Sequence, residues 1–530
     1  MSNVPKPVVL MILDGWGELD MEKGNPITKA DLPVYNKLNQ YYPKILLQAS
    51  GMSVGLPWGV MGNSEVGHQT LGSGQIIYQF LPTINAAIGD GSFFDNKVLK
   101  KASKHAKDNN SSLHLIGLLS NGGVHSDQDH LIALLGFAQE QELDKVYIHI
   151  ITDGRDTEPQ SATRFISYLQ ENMEKIGIGE IATLSGRYYT MDRNENWDRL
   201  EKSFLNLTEG EGIKETDPIE AIENQYKKDI KDEYLEPVVL VDKNDNPKGL
   251  IKDNDAVVCF NFRKDRSRQL ARAFTVKDFD KFERARQPQN VKFVGFNTYE
   301  EGLPMEAVFK SQEVTTRLGE VLSDNKMNQF RVAETEKYAH VTYFFNGGFE
   351  KPYPGEDRKV VPSKNAPSYA DCPEMSAKEV TEEVLQAVAS KKYDFILVNY
   401  ANPDMVGHTG DVQAGIKTLE HLDNCLEKVI AAVLNQKGNL IITADHGNIE
   451  QMLDPHTGET DTEHTTNPVP CWFLTPKNKR SKPLDPDESY LDKEEIGGML
   501  VDIAPTVLDL LNLEKPSQML GRSLLDNFES

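Results

Sequence analysis

The chain has 530 residues, more than one hydrophobic core normally organises, so we expect at least two domains. Its formal charge of −24 argues against nucleic acid and anionic membranes as partners, because both attract basic surfaces. Four scattered cysteines without a Cys-x-x-Cys pair, and an apolar start too short for a signal peptide, predict a cytoplasmic protein with reduced thiols.

Apolar runs typical of buried parallel strands recur along the chain. They cover residues 7–13, 112–119, 145–151, 181–184, 256–260, 330–333, 393–400 and 439–443. Helical spacing falls between them, for example over 161–175 and 200–207, and again over 499–513 near the end. The polar segments 208–255 and 475–495 are predicted to be surface excursions. This alternation predicts an α/β protein.

The residues that end these strands divide into two chemical classes. Strands from the two outer thirds of the chain end in carboxylates: Asp14, Asp404 and Asp445. Strands from the middle third lead to basic residues: His125, Arg155, Arg187, Arg193, Arg263 and Arg266. Ligands of open α/β sheets bind beyond the carboxyl ends of the strands. We therefore expect one domain that is discontinuous in sequence, with a second α/β domain inserted between hinges near residues 71–80 and 298–304.

Ser64 lies in the stretch Met61-Gly-Asn-Ser-Glu-Val-Gly-His68, where the flanking glycines predict a loop. A serine hydroxyl is a weak nucleophile until a base or a metal ion activates it. The stretch is not a Gly-x-Ser-x-Gly elbow, because two residues separate Ser64 from Gly67. Activation by metal is the alternative.

Metal ligands are available at several strand ends. Asp404 and His408 are four residues apart, so a helical turn would present both on one face. The candidate ligands are three aspartates, three histidines and one serine. They are Asp14, Asp404, Asp445, His408, His446, His464 and Ser64. Such a mixture suits two divalent ions, and Mn²⁺ or Zn²⁺ better than Ca²⁺. Any one of these Asp–His pairs alone would more often be a surface pair.

The basic set points to an anionic substrate. A single arginine is usually a solvated surface residue, but its fork recognises carboxylate and phosphate groups. Five arginines near strand ends predict a substrate with more than one anionic group, and Lys337 would add a point charge.

Six motifs together resemble the cofactor-independent phosphoglycerate mutases of the alkaline phosphatase superfamily: 61–68, 185–189, 333–340, 402–408, 444–447 and 464–470. The resemblance spans nearly the whole chain. It implies a phosphatase-like, metal-binding domain over residues 1–78 and 313–530, and an inserted substrate-binding domain over 79–312. It also implies a monomer.

The resemblance further implies the site residues. One Mn²⁺ ion would be bound by Asp404, His408 and His464, and a second by Asp14, Ser64, Asp445 and His446, with Ser64 as the nucleophile. The implied substrate-binding set is His125, Arg155, Asp156, Arg187, Arg193, Arg263, Arg266 and Lys337. We expect Asp156 to carry protons between the substrate hydroxyls. The implied reaction interconverts 3-phosphoglycerate and 2-phosphoglycerate through a phosphoserine, without 2,3-bisphosphoglycerate.

Two other classes of function, one enzymatic and one non-catalytic, stay open on the residues alone. A metal-dependent phosphomonoesterase or a sugar-phosphate mutase would share the metal ligands. A general phosphatase, however, has little use for five substrate arginines, and a sugar-phosphate mutase has no substrate carboxylate to bind. A non-catalytic metal-binding or scaffold protein would be expected to lack a ligand or the nucleophile, and none is missing here.

Overall fold

The computed structural model of the chain describes residues 6–284, 286–484 and 496–529. Residues 475–484 contain neither helix nor strand and run along the surface; the rest of the expected polar segment, 485–495, lies outside the described residues. Within the described part of the chain, no helix is both long and apolar enough to cross a membrane.

The described residues form sixteen strands, numbered here in chain order. They are β1 Val8–Leu13, β2 Lys44–Gln48, β3 Leu113–Leu118, β4 Val146–Thr152, β5 Glu180–Gly186, β6 Ile213–Glu215, β7 Val238–Leu240, β8 Ala256–Cys259, β9 Lys292–Gly295, β10 Glu306–Ala307, β11 Gln329–Glu334, β12 Glu356–Val361, β13 Phe395–Tyr400, β14 Asn439–Thr443, β15 Val469–Leu474 and β16 Ile496–Met499.

The same residues form sixteen α-helices. They are α1 Pro33–Tyr41, α2 Ser64–Ser73, α3 Phe80–Gly89, α4 Lys97–Asp108, α5 Gln128–Glu140, α6 Ala162–Ile176, α7 Arg187–Thr190, α8 Trp197–Glu209, α9 Pro218–Tyr226, α10 Arg268–Thr275, α11 Leu318–Asp324, α12 Ala377–Ser390, α13 Asn402–Gly407, α14 Val412–Asn435, α15 Ile503–Leu510 and α16 Leu525–Glu529.

Contacts between residues divide the chain into two compact units. The discontinuous unit comprises Met1–Gln79 and Gln312–Ser530, and the inserted unit comprises Phe80–Ser311. Each unit is built on its own eight-stranded mixed sheet flanked by helices. The predicted fold class, two α/β domains with one inserted into the other, is confirmed.

The sheet of the discontinuous unit has the strand order β12-β11-β13-β1-β14-β15-β2-β16. Strands β13, β1 and β14 are adjacent and parallel at its centre, and every residue of the three is buried. A continuous apolar run is what burial on both faces of a parallel sheet requires. Because the three strands are parallel neighbours, the residues that follow them, Asp14, Asp404 and Asp445, emerge at one edge.

The sheet of the inserted unit has the strand order β10-β9-β8-β3-β4-β5-β7-β6. Its parallel centre, β8-β3-β4-β5, is followed by the loops that carry the basic residues, so these also emerge at one edge. Phe137, Phe204 and Phe260 are among the largest fully buried side chains of this unit. Burying each such side chain contributes about 1.5–3 kcal/mol.

Segment 208–255 differs from the prediction of an irregular excursion. It contributes β6, α9 and β7, and β7 pairs antiparallel with β5 at the side of the sheet. The carboxylate of Asp217 caps α9 by accepting the amides of Ile219 and Glu220, and Pro218 begins the helix. The apolar stretches in this segment are only three or four residues long, and charged residues separate them. They therefore show no clear strand or helix pattern in the sequence.

Candidate active site

Ser64 is the first residue of helix α2, not part of a loop as its glycine neighbours predicted. The side chain of Asn63 caps the helix by accepting the amide of Val66. An Asn three residues before a free amide is a helix-start signal, and it outweighs the turn preference of the glycines. The helix N-terminus favours negative charge, so this position suits an oxygen that accepts a phosphoryl group.

The hydroxyl of Ser64 is surrounded by residues predicted as site residues. Its Oγ atom lies 2.7 Å from Lys337 Nζ, 2.9 Å from His446 Nε2 and 3.1 Å from Asp14 Oδ1. All four residues are buried, and His446 lies 382 positions from Ser64 along the chain. The discontinuous unit therefore assembles a buried polar centre around one serine.

The first predicted ligand group comes together beside α13. His408 Nε2 lies 3.3 Å and His464 Nε2 lies 3.1 Å from the same oxygen, Oδ1 of Asp404. The two Nε2 atoms are 3.1 Å apart. Helix α13 places Asp404 and His408 on one face, as their spacing predicted.

The second predicted ligand group comes together around His446. The Nε2 atom of His446 is 3.5 Å from Asp14 Oδ1 and 3.7 Å from Asp445 Oδ2. This Asp445 oxygen is buried and has no hydrogen-bond partner among the described residues, although His68 Nδ1 lies 3.0 Å away. Two sets of residues each bring their ligand atoms within 4.8 Å of one another. One set is Asp14, Asp445 and His446, and the other is Asp404, His446 and His464.

The imidazole orientations fit metal binding. The Nδ1 atoms of His408, His464 and His446 lie 2.7, 2.9 and 3.2 Å from the backbone carbonyls of Thr462, Gly62 and Gly447. A carbonyl accepts a hydrogen bond only from a protonated Nδ1, which in the neutral imidazole leaves the lone pair on Nε2, and all three Nε2 atoms face the carboxylates. Unpaired carboxylate oxygen and inward imidazole lone pairs are the donor set that a divalent ion requires.

Lys337 lies among these ligands. Its Nζ atom is 2.6 Å from Asp404 Oδ2 and 2.7 Å from Asp14 Oδ1. Burial works against all three charges, but the ammonium holds the pKa of both carboxyl groups below their usual range, and the carboxylates raise the pKa of Lys337. The sequence pattern had assigned Lys337 only to the substrate.

Three side chains that the sequence reasoning missed support this centre. Asn399 donates from Nδ2 to Asp14 Oδ2 at 2.6 Å, and Asn448 donates to Asp404 Oδ1 at 2.9 Å. His68 is buried, with Nδ1 2.9 Å from the Ser64 carbonyl and Nε2 3.0 Å from Asn399. The available signal was position: Asn448 directly follows the motif 444–447, and His68 is the last residue of the motif 61–68.

Arg187 of the inserted unit is held by two carboxylates. Arg187 is buried, and its Nη1 atom lies 2.5 Å from Asp153 Oδ1 and 2.6 Å from Asp156 Oδ2. The same Asp153 oxygen accepts the amides of Arg155 and Asp156, so it shapes the loop that presents both. Sequence reasoning missed Asp153, although it lies only two residues before the predicted Arg155.

Asp265 joins two further arginines. Arg193 Nη1 lies 3.0 Å from one of its oxygens and Arg263 Nε lies 3.0 Å from the other. Both arginines are about half exposed, so their remaining N–H groups are open to a ligand. Arg266 donates to the Met191 carbonyl, and Arg155 lies 3.5 Å from Glu233.

The electrostatics of this basic cluster favour anion binding. Burial lowers the pKa of Arg266, and the charges of Arg187, Arg193 and Arg155 lower it further. Burial together with the Arg187 charge lowers the pKa of His125 to about 4, so His125 is neutral near pH 7. Its Nε2 atom is 3.9 Å from Asp156 Oδ2. The inserted unit thus gathers His125, Asp156 and five arginines around one edge of its sheet.

Two family models match the chain. The model described as BPG-independent PGAM N-terminus matches residues 84–301, and the model described as type I phosphodiesterase / nucleotide pyrophosphatase matches residues 285–488. The first falls on the inserted unit and the second on much of the discontinuous unit.

Full-length relatives agree with these matches. The 2,3-bisphosphoglycerate-independent phosphoglycerate mutase of Clostridioides difficile (strain 630) is 47% identical, over 98% of this chain and 99% of its own length. That of Clostridium perfringens (strain SM101 / Type A) is 48% identical over the same shares. A crystal structure of Leishmania mexicana phosphoglycerate mutase at low cobalt concentration has a TM-score of 0.57, 31% identity and 98% coverage of both chains. The predicted resemblance is confirmed, and the chain belongs to the 2,3-bisphosphoglycerate-independent phosphoglycerate mutases.

Proposed function

We propose that this chain interconverts 3-phosphoglycerate and 2-phosphoglycerate through a phosphoserine on Ser64, without 2,3-bisphosphoglycerate. The observation that carries the proposal is the surroundings of Ser64: a helix N-terminus, a lysine ammonium at 2.7 Å and the ligand groups of two candidate metal sites. The full-length relatives of that name support the same reaction.

Two Mn²⁺ ions fit the donor set. Asp404, His408 and His464 would hold one ion, and Asp14, Ser64, Asp445 and His446 would hold the other. Carboxylate and imidazole donors without thiolate suit Mn²⁺. When bound, the ions neutralise the phosphoryl oxygens and lower the pKa of the serine hydroxyl. Lys337 contributes a further positive charge at the serine oxygen, which favours its deprotonated form.

In the forward reaction Ser64 enters as the alkoxide and its oxygen attacks phosphorus. The bond between phosphorus and the 3-oxygen of the substrate breaks, and that oxygen takes a proton from Asp156. Glycerate then presents its 2-hydroxyl, which returns a proton to Asp156 and attacks the phosphoserine. Ser64 leaves with its electron pair, so 2-phosphoglycerate forms and both residues return to their starting states.

The arginines of the inserted unit would hold the carboxylate and phosphate of the substrate. Their forks bind such groups bidentately, and Arg187 is already fixed by Asp153 and Asp156. Retention of glycerate between the two transfers is what separates a mutase from a phosphatase, because free glycerate would be lost to solvent. Lys337, also assigned to substrate binding, would meet the phosphoryl group beside Ser64. We propose that the active species is a monomer.

The test is mutase activity on 3-phosphoglycerate in an enolase-coupled assay without 2,3-bisphosphoglycerate. Metal-stripped protein should be inactive, and Mn²⁺ alone should restore formation of 2-phosphoglycerate. Release of inorganic phosphate without 2-phosphoglycerate would indicate a phosphomonoesterase. Absence of both products would contradict the proposed substrate and direct the assay to sugar phosphates.

A further inference from the structure

Glu450 is a fully buried carboxylate that none of the proposed steps uses. It follows β14 in the segment Asp445-His446-Gly447-Asn448-Ile449-Glu450. Its Oε2 atom accepts the amide of Gly17 at 2.9 Å and the amide of Asn448 at 2.9 Å. These two bonds join the turn after Asp14 to the turn after Asp445 and His446.

The other oxygen of Glu450 reaches a third segment. Oε1 accepts the side-chain amide of Asn467 at 2.9 Å and the hydroxyl of Thr465, which directly follows His464. One carboxylate therefore ties together the three chain segments that carry Asp14, Asp445 with His446, and His464. These segments are separated by up to 450 positions in sequence, so their spacing depends on tertiary contacts of this kind.

The backbone is shaped to admit this carboxylate. A Cβ atom placed at Gly17 would lie 2.4 Å from Oε1 of Glu450, and one placed at Gly447 would also lie 2.4 Å from it. Real Cβ atoms do not come that close, so glycine at both positions allows the two turns to pack directly against Glu450. The close packing is the reason that the carboxylate can contact all three segments.

The four contacts supply hydrogen-bond donors to the carboxylate. Each contact is a donor: two backbone N–H groups, one amide and one hydroxyl. A carboxylate has acceptor sites for all four, whereas a glutamine amide would turn its NH₂ group toward two donors. Among the residues that the structure describes, Glu450 has no ion-pair partner, so its buried charge is stabilised by these donors alone.

We propose that Glu450 is a positioning residue that sets the affinity of the site for divalent ions, by fixing the spacing of the three ligand-bearing segments. This inference rests on the proposed function, because it takes Asp14, Asp445, His446 and His464 to be metal ligands. Groups that orient metal ligands typically change metal affinity by about 10- to 100-fold when altered.

The experiment compares wild type, Glu450→Gln and Glu356→Gln as metal-stripped full-length proteins. Glu356 is a matched control, because it is a buried glutamate of the same unit that accepts from Arg358 Nε at 2.6 Å and from the Tyr353 amide at 3.2 Å, away from the ligands. Affinity for Mn²⁺ is measured by titration, and the melting temperature is measured separately.

We expect Glu450→Gln to bind Mn²⁺ about 10- to 100-fold more weakly than wild type. Glu356→Gln should melt at a lower temperature than wild type and bind Mn²⁺ with unchanged affinity. At saturating Mn²⁺, Glu450→Gln should regain most of its kcat with an unchanged KM for 3-phosphoglycerate. Equal Mn²⁺ affinity in Glu450→Gln and wild type would overturn the inference.

If Glu450→Gln does not fold, Thr465→Val removes one of the four donors at nearly constant volume. A several-fold loss of Mn²⁺ affinity in Thr465→Val would support the inference, and unchanged affinity would overturn it. The proposed function is tested separately: if wild type binds Mn²⁺ but forms no 2-phosphoglycerate, the function fails whether or not Glu450 sets the affinity.

Discussion

The ammonium of Lys337 lies 2.7 Å from the hydroxyl oxygen of Ser64, inside a buried centre that also contains Asp14 and Asp404. This lysine contributes positive charge that balances the two buried carboxylates of Asp14 and Asp404. Its charge is therefore expected to matter for folding as well as for catalysis, and four predictions follow from this centre and from the inserted unit.

Lys337→Met should destabilise the metal-stripped protein by about 3–5 kcal/mol, because removing one partner of a buried ion pair leaves an uncompensated charge. Added Mn²⁺ should recover part of the loss by neutralising the same carboxylates. Thermal unfolding with and without Mn²⁺ measures both effects. The control is Lys359→Met, which breaks a surface pair with Glu383 and should cost about 0–1 kcal/mol. Equal melting of Lys337→Met and wild type without metal would contradict the assignment.

Ser64→Ala should abolish mutase activity, by at least about 10⁴-fold, because no other oxygen occupies its place at the start of α2. Mn²⁺ should still bind, since the carboxylates and imidazoles remain. The enolase-coupled assay and a Mn²⁺ titration measure the two quantities. Ser73→Ala, which alters a buried serine at the far end of the same helix, should leave activity unchanged. Activity of Ser64→Ala near the wild-type level would show that another group is the nucleophile.

Asp156→Asn should lower kcat by about 10²- to 10⁴-fold, the usual contribution of a proton-transferring group. KM should change little, because Arg187, which is proposed to bind the substrate, stays bound to Asp153 at 2.5 Å. Steady-state kinetics separate the two parameters. Glu233→Gln, which alters the partner of Arg155, is the matched control and should keep its kcat. A large rise in KM with unchanged kcat would mean that Asp156 binds substrate without moving protons.

Mn²⁺ affinity should rise as pH increases from about 6.5 to about 9. Burial works against the charged imidazole, but Asp445, Asp14 and Asp404 raise the pKa of His446 to about 9, so the metal-free site holds a proton there. A ligand nitrogen must lose its proton to bind metal, so Mn²⁺ competes with H⁺ below that pKa. Titrations at several pH values, in buffers of different ionisation enthalpy, give the affinity and the protons released. Constant affinity with no proton release would contradict this role of His446.

Much of the architecture was predictable from local patterns. The apolar runs that became β1, β13 and β14 end in Asp14, Asp404 and Asp445, and the spacing of Asp404 and His408 matches one helical turn. These features are local, because strand burial and helical periodicity depend on residues a few positions apart. The same patterns concealed β6, α9 and β7, whose apolar stretches are too short to stand out among charged neighbours.

Sequence alone therefore determined the α/β class, the family and the chemical inventory of the two strand-end clusters. Only the tertiary structure placed Lys337 beside Ser64, Asn399 against Asp14 across 385 positions, and Glu450 between three ligand-bearing segments. Those contacts depend on strand order: β1 lies between β13 and β14 although it ends at Leu13 and they begin only at Phe395 and Asn439. The side chains that complete the site are brought together by that order, since a residue's type and its immediate neighbours do not specify which distant segment it meets.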